Sequence, residues 1–171
     1  LYALPILCDR IKAMNLRDPI VVSPDVGFAK QARRYAANLG TGIAIAYKER
    51  PSLREEKADI LEIIGNVQDK TAIIVDDFTL SAGTLVGVSR KLIDEGATEV
   101  YAAVTHGVLA GDAVEKIEHS PIKCLLMTDT VENQPVQLTA KIEIVSVASV
   151  FGEAIKRIHN RESISEMFKD I

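Results

Sequence analysis

The strongest constraint on the fold of this sequence is a repeated alternation. Apolar runs of strand length at 20–23, 43–46, 72–75, 100–104, 124–127 and 142–145 are separated by segments with helical spacing. Runs such as Ala72-Ile73-Ile74-Val75 hold no polar position, so they need cover on both faces, as in a parallel sheet flanked by helices. Helices are expected over 26–39, closed by Gly40, over 82–94, closed by Gly96, and over 149–159, with a further helical turn over 163–169. A helix over 2–15, with Pro5 near its start, opens the chain. The fold class predicted is α/β, a mainly parallel sheet flanked by helices in one domain over 1–171. Residues 48–59, crowded with charge, and the polar stretch 132–139 are expected as surface loops.

Composition narrows the class. A length of 171 residues supports one domain with a full core, and 47% hydrophobic against 26% charged residues excludes a disordered chain. The 20 Lys+Arg against 24 Asp+Glu leave a net charge of −4, which gives no general attraction to nucleic acid or to an anionic membrane. Anion binding must therefore be local. No apolar run approaches the ~20 residues that span a bilayer, and the start lacks the basic end of a signal peptide. The expected setting is cytoplasmic, with no nucleic acid and no membrane as partner. Cys8 and Cys124 stand far apart without a CxxC spacing and are expected as small apolar groups, like the rings of Tyr35, Tyr101 and Phe151 at core edges. The chain starts at Leu1 without a methionine, so it is expected to be part of a longer polypeptide.

The passage with most chemistry is 71–84. A buried strand ends in Asp76-Asp77, and a short loop leads to a helix opening with Ser81-Ala82-Gly83-Thr84. A helix N-terminus offers free N–H groups and a positive dipole end, and small residues let a phosphate approach the backbone. Two adjacent carboxylates suit sugar hydroxyls or a hydrated Mg²⁺, so the passage reads as a site for a phosphorylated sugar. The other reading is structural, a strand end fixed by Asp with Ser81 as a helix cap. Asp25 likewise reads as a cap for the helix that follows it. Lys48 and Arg50 read as part of a solvated charge cluster, and His106 as either a functional or a hydrogen-bonded strand-end residue.

The 71–84 passage resembles the phosphoribosyl-diphosphate loop of the type I phosphoribosyltransferase fold. Leu1-Tyr2-Ala3, Val22-Ser23-Pro24-Asp25, Lys48-Glu49-Arg50, Ile63-Ile64-Gly65-Asn66-Val67, Thr105-His106-Gly107-Val108, Thr128-Asp129-Thr130 and Ile158-His159-Asn160, taken in order, are similar to the ribose-phosphate diphosphokinase (phosphoribosyl pyrophosphate synthetase) family. The likeness runs the length of the chain and is to the C-terminal domain of a two-domain enzyme. It implies transfer of the diphosphoryl group of ATP to ribose 5-phosphate, with Mg²⁺, giving phosphoribosyl diphosphate and AMP. It also implies that Ser81, Ala82, Gly83 and Thr84 cradle the 5-phosphate, Asp76 and Asp77 hold the ribose hydroxyls, Asp25 binds metal, and Lys48 and Arg50 neutralise charge on the transferred group. Partners implied are the missing N-terminal domain and further copies in a homo-oligomer. Without that domain the chain is expected to bind ribose 5-phosphate but turn over poorly. Leu80, Ser81 and Phe28 depart from the family's usual aspartate, threonine and glycine. Two alternatives follow: a phosphoribosyltransferase that consumes phosphoribosyl diphosphate, and an inactive associated or regulatory subunit.

Overall fold

A computed structural model describes residues 1–49, 60–132 and 139–169. The apolar runs become β1 (Pro19–Ser23), β2 (Gly42–Glu49), β4 (Thr71–Thr79), β5 (Glu99–Gly107), β6 (Ile122–Thr128) and β7 (Ile142–Val145), joined by β3 (Ile60–Ile64) in a seven-stranded sheet of order β3-β2-β1-β4-β5-β6-β7. Every neighbouring pair is parallel except β2–β3, which is antiparallel from Ile45↔Ile64 to Glu49↔Ile60. The helices are α1 (Leu4–Ala13), α2 (Ala29–Leu39), α3 (Gly83–Asp94), α4 (Ala113–Glu118) and α5 (Ala148–His159), followed by a 3-10 turn at Ser165–Phe168.

The alternation of side chains along each strand sorts the core into two layers. Ile20, Val22, Ile74, Val104 and Met127 pack with Leu85 and Leu92 of α3 and Ile117 of α4. Val21, Ile73, Val75, Ala103 and Leu126 pack on the opposite face with Leu7 and Ile11 of α1 and Ala32 and Tyr35 of α2. The strands are apolar throughout because they carry both layers. Burial of this apolar surface, at about 25 cal/mol per Å², is the main force holding helices to sheet.

Several elements differ from the sequence expectation. β3 lies in a stretch with no helical partner to announce it. Its outer position leaves Glu62 and Ile64 exposed, so its pattern is not the continuous apolar run that marks the inner strands. α4 is a second addition; its 6 residues are too few to show helical periodicity. α2 begins at Ala29 rather than 26 because Asp25 Oδ1 accepts the Phe28 N–H at 2.8 Å, holding 25–28 as a turn. β4 runs past Asp76-Asp77 to Thr79, since Phe78 and Thr79 still pair with His106 and Gly107. Phe151 is not a core-edge ring: with Ile155 and Ile158 it forms an exposed stripe on α5. Cys8 is buried and Cys124 half-buried, both free thiols. Burial pushes the Cys8 thiol up to about 12, which keeps it neutral. The expected loops at 48–59 and 132–139 lie mostly outside the described residues.

Gly65 closes β3 at φ +124°, where a Cβ would stand 2.9 Å from Ala44 Cβ and 3.0 Å from Ala44 Cα. Gly65→Ala is therefore expected to destabilise the chain by about 2–4 kcal/mol, from the left-handed backbone and the clash together. At Gly152 of α5 an added Cβ would meet nothing within 4 Å, and Gly152→Ala is expected to stabilise by about 0.5–1 kcal/mol. Paired denaturant melts would read both signs.

Candidate functional site

In an open parallel sheet, a crevice forms where two neighbouring strands send the chain in opposite directions. Here that point lies between β1 and β4. β1 connects through α2 to β2 on one side, and β4 through α3 to β5 on the other. Because α2 and α3 pack on opposite faces, the loops leaving β1 and β4 diverge above the strand ends. A cleft of about 460 Å³ opens there, with Asp25, Gly27 and Phe28 on one wall and Asp76, Asp77 and the 80–84 loop on the other. A second groove of about 790 Å³ adjoins it, sharing Asp25, Gly27 and Thr84 and reaching Tyr47 and Leu61.

One end of the cleft is the start of α3. Its N-cap is Ala82, which has no side-chain oxygen to cap the helix, and the capping turn is made in the left-handed region, φ +57° and ψ +4°. Such a conformation costs an Ala about 1–2 kcal/mol and is sustained by burial of Ala82 at 2% exposure. Anchoring bonds run from the Ala110 N–H to the Leu80 carbonyl, 2.8 Å, and from the Val108 N–H to the Thr79 carbonyl, 3.0 Å. Among the described residues, the first N–H of α3 to reach a backbone carbonyl is that of Val86, bonded to Ala82 at 3.0 Å. The earlier N–H groups of the helix, at its positive dipole end, are thus available to an anion. Ser81, Gly83 and Thr84 are exposed around them. The Ser81 cap of the alternative, structural reading is absent.

The other end is acidic. Asp76, Asp77 and Asp25 each use Oδ1 to hold a backbone N–H: that of Asp77 at 2.9 Å, of Phe78 at 2.8 Å and of Phe28 at 2.8 Å. These local bonds fix the carboxylates in the cleft, although Asp25 holds the turn before α2 and does not cap the helix, whose N-cap is Phe28. Burial, with the neighbouring charges of Asp77 and Asp25, pushes the Asp76 carboxyl up from 3.8 to about 7, against the bond from the Asp77 N–H. The crowding that raises the Asp76 carboxyl is one that a cation or hydroxyl donors would relieve. Among the described residues no group of three or more His, Cys, Asp or Glu forms a ready metal cage. A hard cation held by one or two carboxylates plus ligand oxygens is the arrangement these side chains fit.

The structure thus brings Asp25, Asp76, Asp77, Ser81, Ala82, Gly83 and Thr84 into one cleft. Lys48 lies in β2, but its side chain and the whole of Arg50 fall outside the described residues. His106 pairs with Phe78 across the strands and hydrogen-bonds Thr130 Oγ1 through Nδ1 at 2.7 Å, which accounts for it as a strand-end residue. Sequence reasoning missed Phe78, 55% exposed beside the carboxylates. The available signal is an aromatic ring immediately after the Asp pair.

A mainly parallel sheet with an uncapped helix N-terminus and paired carboxylates at its switch point defines the class, the type I phosphoribosyltransferase fold. An orotate phosphoribosyltransferase from Aeropyrum pernix has this fold, with a TM-score of 0.57 at 16% identity over 90% of this chain and 74% of its own. A phosphoribosylpyrophosphate synthetase from Mycobacterium smegmatis superposes better, with a TM-score of 0.84 at 26% identity over 93% of this chain and 51% of its own. Among curated relatives, the ribose-phosphate pyrophosphokinase of Aquifex aeolicus is 43% identical over 98% of this chain and 53% of its length. That of Oceanobacillus iheyensis is 44% identical over 98% and 52%. The family model of the phosphoribosyl synthetase-associated domain matches residues 46–169. The chain belongs to the phosphoribosyl synthetase-associated domain family, and it spans about half the length of the curated relatives it matches.

The raised Asp76 carboxyl fixes the sign of a pH effect. A group whose folded value lies above its unfolded value costs stability as pH rises from about 4 through about 7. Asp76→Asn should therefore stabilise the ligand-free chain at pH 8 by about 1–2 kcal/mol, after solvent screening at a partly exposed group. The gain should vanish below pH 4, as read by denaturant titrations at both values.

Proposed function

We propose that this chain is the ribose 5-phosphate-binding half of an enzyme that transfers the diphosphoryl group of ATP to ribose 5-phosphate, giving phosphoribosyl diphosphate and AMP. The observation that carries the reading is the juxtaposition in one cleft of an uncapped α3 N-terminus with the Asp76-Asp77 pair. It offers donors for a phosphate and acceptors for hydroxyls on facing sides of a cleft of about 460 Å³, roomy enough for a sugar phosphate. The pyrophosphokinase names of relatives at 43% and 44% identity favour this over a phosphoribosyltransferase.

In this reading the 5-phosphate rests on the backbone of 81–84, with the hydroxyls of Ser81 and Thr84 beside it. Asp76 and Asp77 accept hydrogen bonds from the ribose hydroxyls and so aim the C1 hydroxyl toward the Asp25 turn. When bound, Mg²⁺ supplies neutralisation of phosphate charge, and Asp25 would hold it. Lys48 and Arg50 serve the same end, stabilising charge that builds on the transferred group. Attack by the oxygen of the C1 hydroxyl on the β-phosphorus of ATP breaks the bond from that phosphorus to the oxygen bridging it to the α-phosphate, so AMP leaves and the proton of the C1 hydroxyl is lost to solvent. The ATP-binding half belongs to the remaining length that the relatives have, the assembly is a homo-oligomer, and the setting is the cytoplasm. Among the described residues no helix is long and apolar enough to cross a membrane.

Calorimetric titration with ribose 5-phosphate and Mg²⁺ should show millimolar or tighter binding, and Asp77→Asn should weaken it by about tenfold or more, the worth of a charge-assisted hydrogen bond. Adding the remaining half of the Aquifex aeolicus relative should yield AMP from ATP only when ribose 5-phosphate is present. Absence of ribose 5-phosphate binding, or turnover that requires a nucleobase and phosphoribosyl diphosphate, would overturn the reading.

A further inference from the structure

One side chain of the cleft has no part in the proposed reaction. Phe78 follows the carboxylate pair, lines the cleft and leaves 55% of its surface in water. With Leu80, 52% exposed, it supplies the large apolar groups open to solvent along 76–84. A single exposed apolar residue is ordinary on a protein surface. What distinguishes Phe78 is the company it keeps on its side of the sheet.

β4 holds one register with β5 from Thr71↔Glu99 to Thr79↔Gly107, so side chains two apart share a face. Ile74 packs with Leu85 and Leu92 of α3. Asp76 and Phe78 therefore point, like Ile74, to the face that α3 covers, and the cleft they line also takes in Ser81, Gly83 and Thr84 at the start of that helix. The mount is firm: the Phe78 N–H donates to Asp77 Oδ1 at 2.8 Å, and the residue pairs with His106 across the strands. A ligand that reaches from the α3 N-terminus to the Asp76 carboxylate spans the side of the sheet on which Phe78 stands.

We propose that Phe78 is a further binding residue of the cleft, whose ring packs against the C–H groups of the sugar and so selects the closed form of a pentose 5-phosphate over open-chain phosphates. The inference rests on the reading of the cleft as a ribose 5-phosphate site. A furanose that gives its hydroxyls to carboxylates still presents C–H groups, made slightly positive by the neighbouring oxygens, and the face of a phenyl ring is slightly negative. An open chain can satisfy the same donors and acceptors, but it has no compact ring to lay against the phenyl. The preference has a chemical use, because the C1 hydroxyl of the proposed reaction exists only in the closed form; in the open form C1 is an aldehyde carbonyl.

Calorimetric titrations in the presence of Mg²⁺, with ribose 5-phosphate, ribitol 5-phosphate and inorganic phosphate as probes, test this on the parent and on Phe78 variants. Phe78→Ala should weaken ribose 5-phosphate by about tenfold, the worth of covering roughly half a phenyl side chain, and ribitol 5-phosphate by less than about threefold. Inorganic phosphate should bind it as it binds the parent. Because the chain has no Trp, Phe78→Trp places a single indole at the site and keeps a flat ring in the strand. Its emission should move to shorter wavelength with ribose 5-phosphate and stay in place with inorganic phosphate. No loss of ribose 5-phosphate affinity in Phe78→Ala, equal losses for all probes, or an indole that does not respond to ribose 5-phosphate would overturn the role of Phe78 while leaving the sugar-phosphate reading intact. Failure of ribose 5-phosphate itself to bind the parent would remove both.

Discussion

Pairing of β1 with β4 at the middle of the sheet, from Pro19↔Thr71 to Val22↔Ile74, obliges the chain to leave these strands in opposite directions. The helices that follow must then settle on opposite faces, since each has a different neighbouring strand to reach. Their loops cannot fill the space between them, and a crevice is left over the strand ends. The apolar layers on both faces, centred on residues such as Ile73 and Ile74, make the strand pair rigid. The loops above can therefore hold unfavourable features, among them the left-handed Ala82 and the crowded Asp76-Asp77 pair.

Electrostatics then divides the cleft. In a chain of net charge −4, an anion is not drawn in by the molecule as a whole. The local feature suited to one is the α3 N-terminus, where the helix dipole and unsatisfied N–H groups act over a few ångströms. The carboxylates at the opposite end repel a phosphate and accept hydroxyls. The sugar phosphate proposed as ligand has those two ends, and a site divided in this way would orient it by charge as well as by shape.

The inner strands are legible in the sequence because burial on both faces leaves a run such as Ala72-Ile73-Ile74-Val75 with one interpretation. β3 is not, because an outer strand obeys a weaker rule in which Glu62 and Ile64 are free to face water. Phe151 illustrates the same limit from the other side: its apolar character suggests a core edge, yet α5 leaves it exposed with Ile155 and Ile158. Asp25 admits two readings, helix cap and ligand group. In the structure one of its oxygens holds the Phe28 N–H in the turn before α2 rather than capping the helix itself, whose N-cap is Phe28, and the residue faces the cleft.

By itself the sequence determined the α/β architecture, the position of the Asp pair at a strand end and the small residues opening α3, because these depend on local patterning and on the chain order of strand, loop and helix. Only the tertiary structure decided that Asp25 faces Asp76 and Asp77 across a cleft, and that Phe78 stands half-exposed in it on the side of the sheet that α3 covers. Those juxtapositions come from strand order and from the face on which each helix packs. They depend on contacts between residues far apart in the chain, which no local pattern encodes.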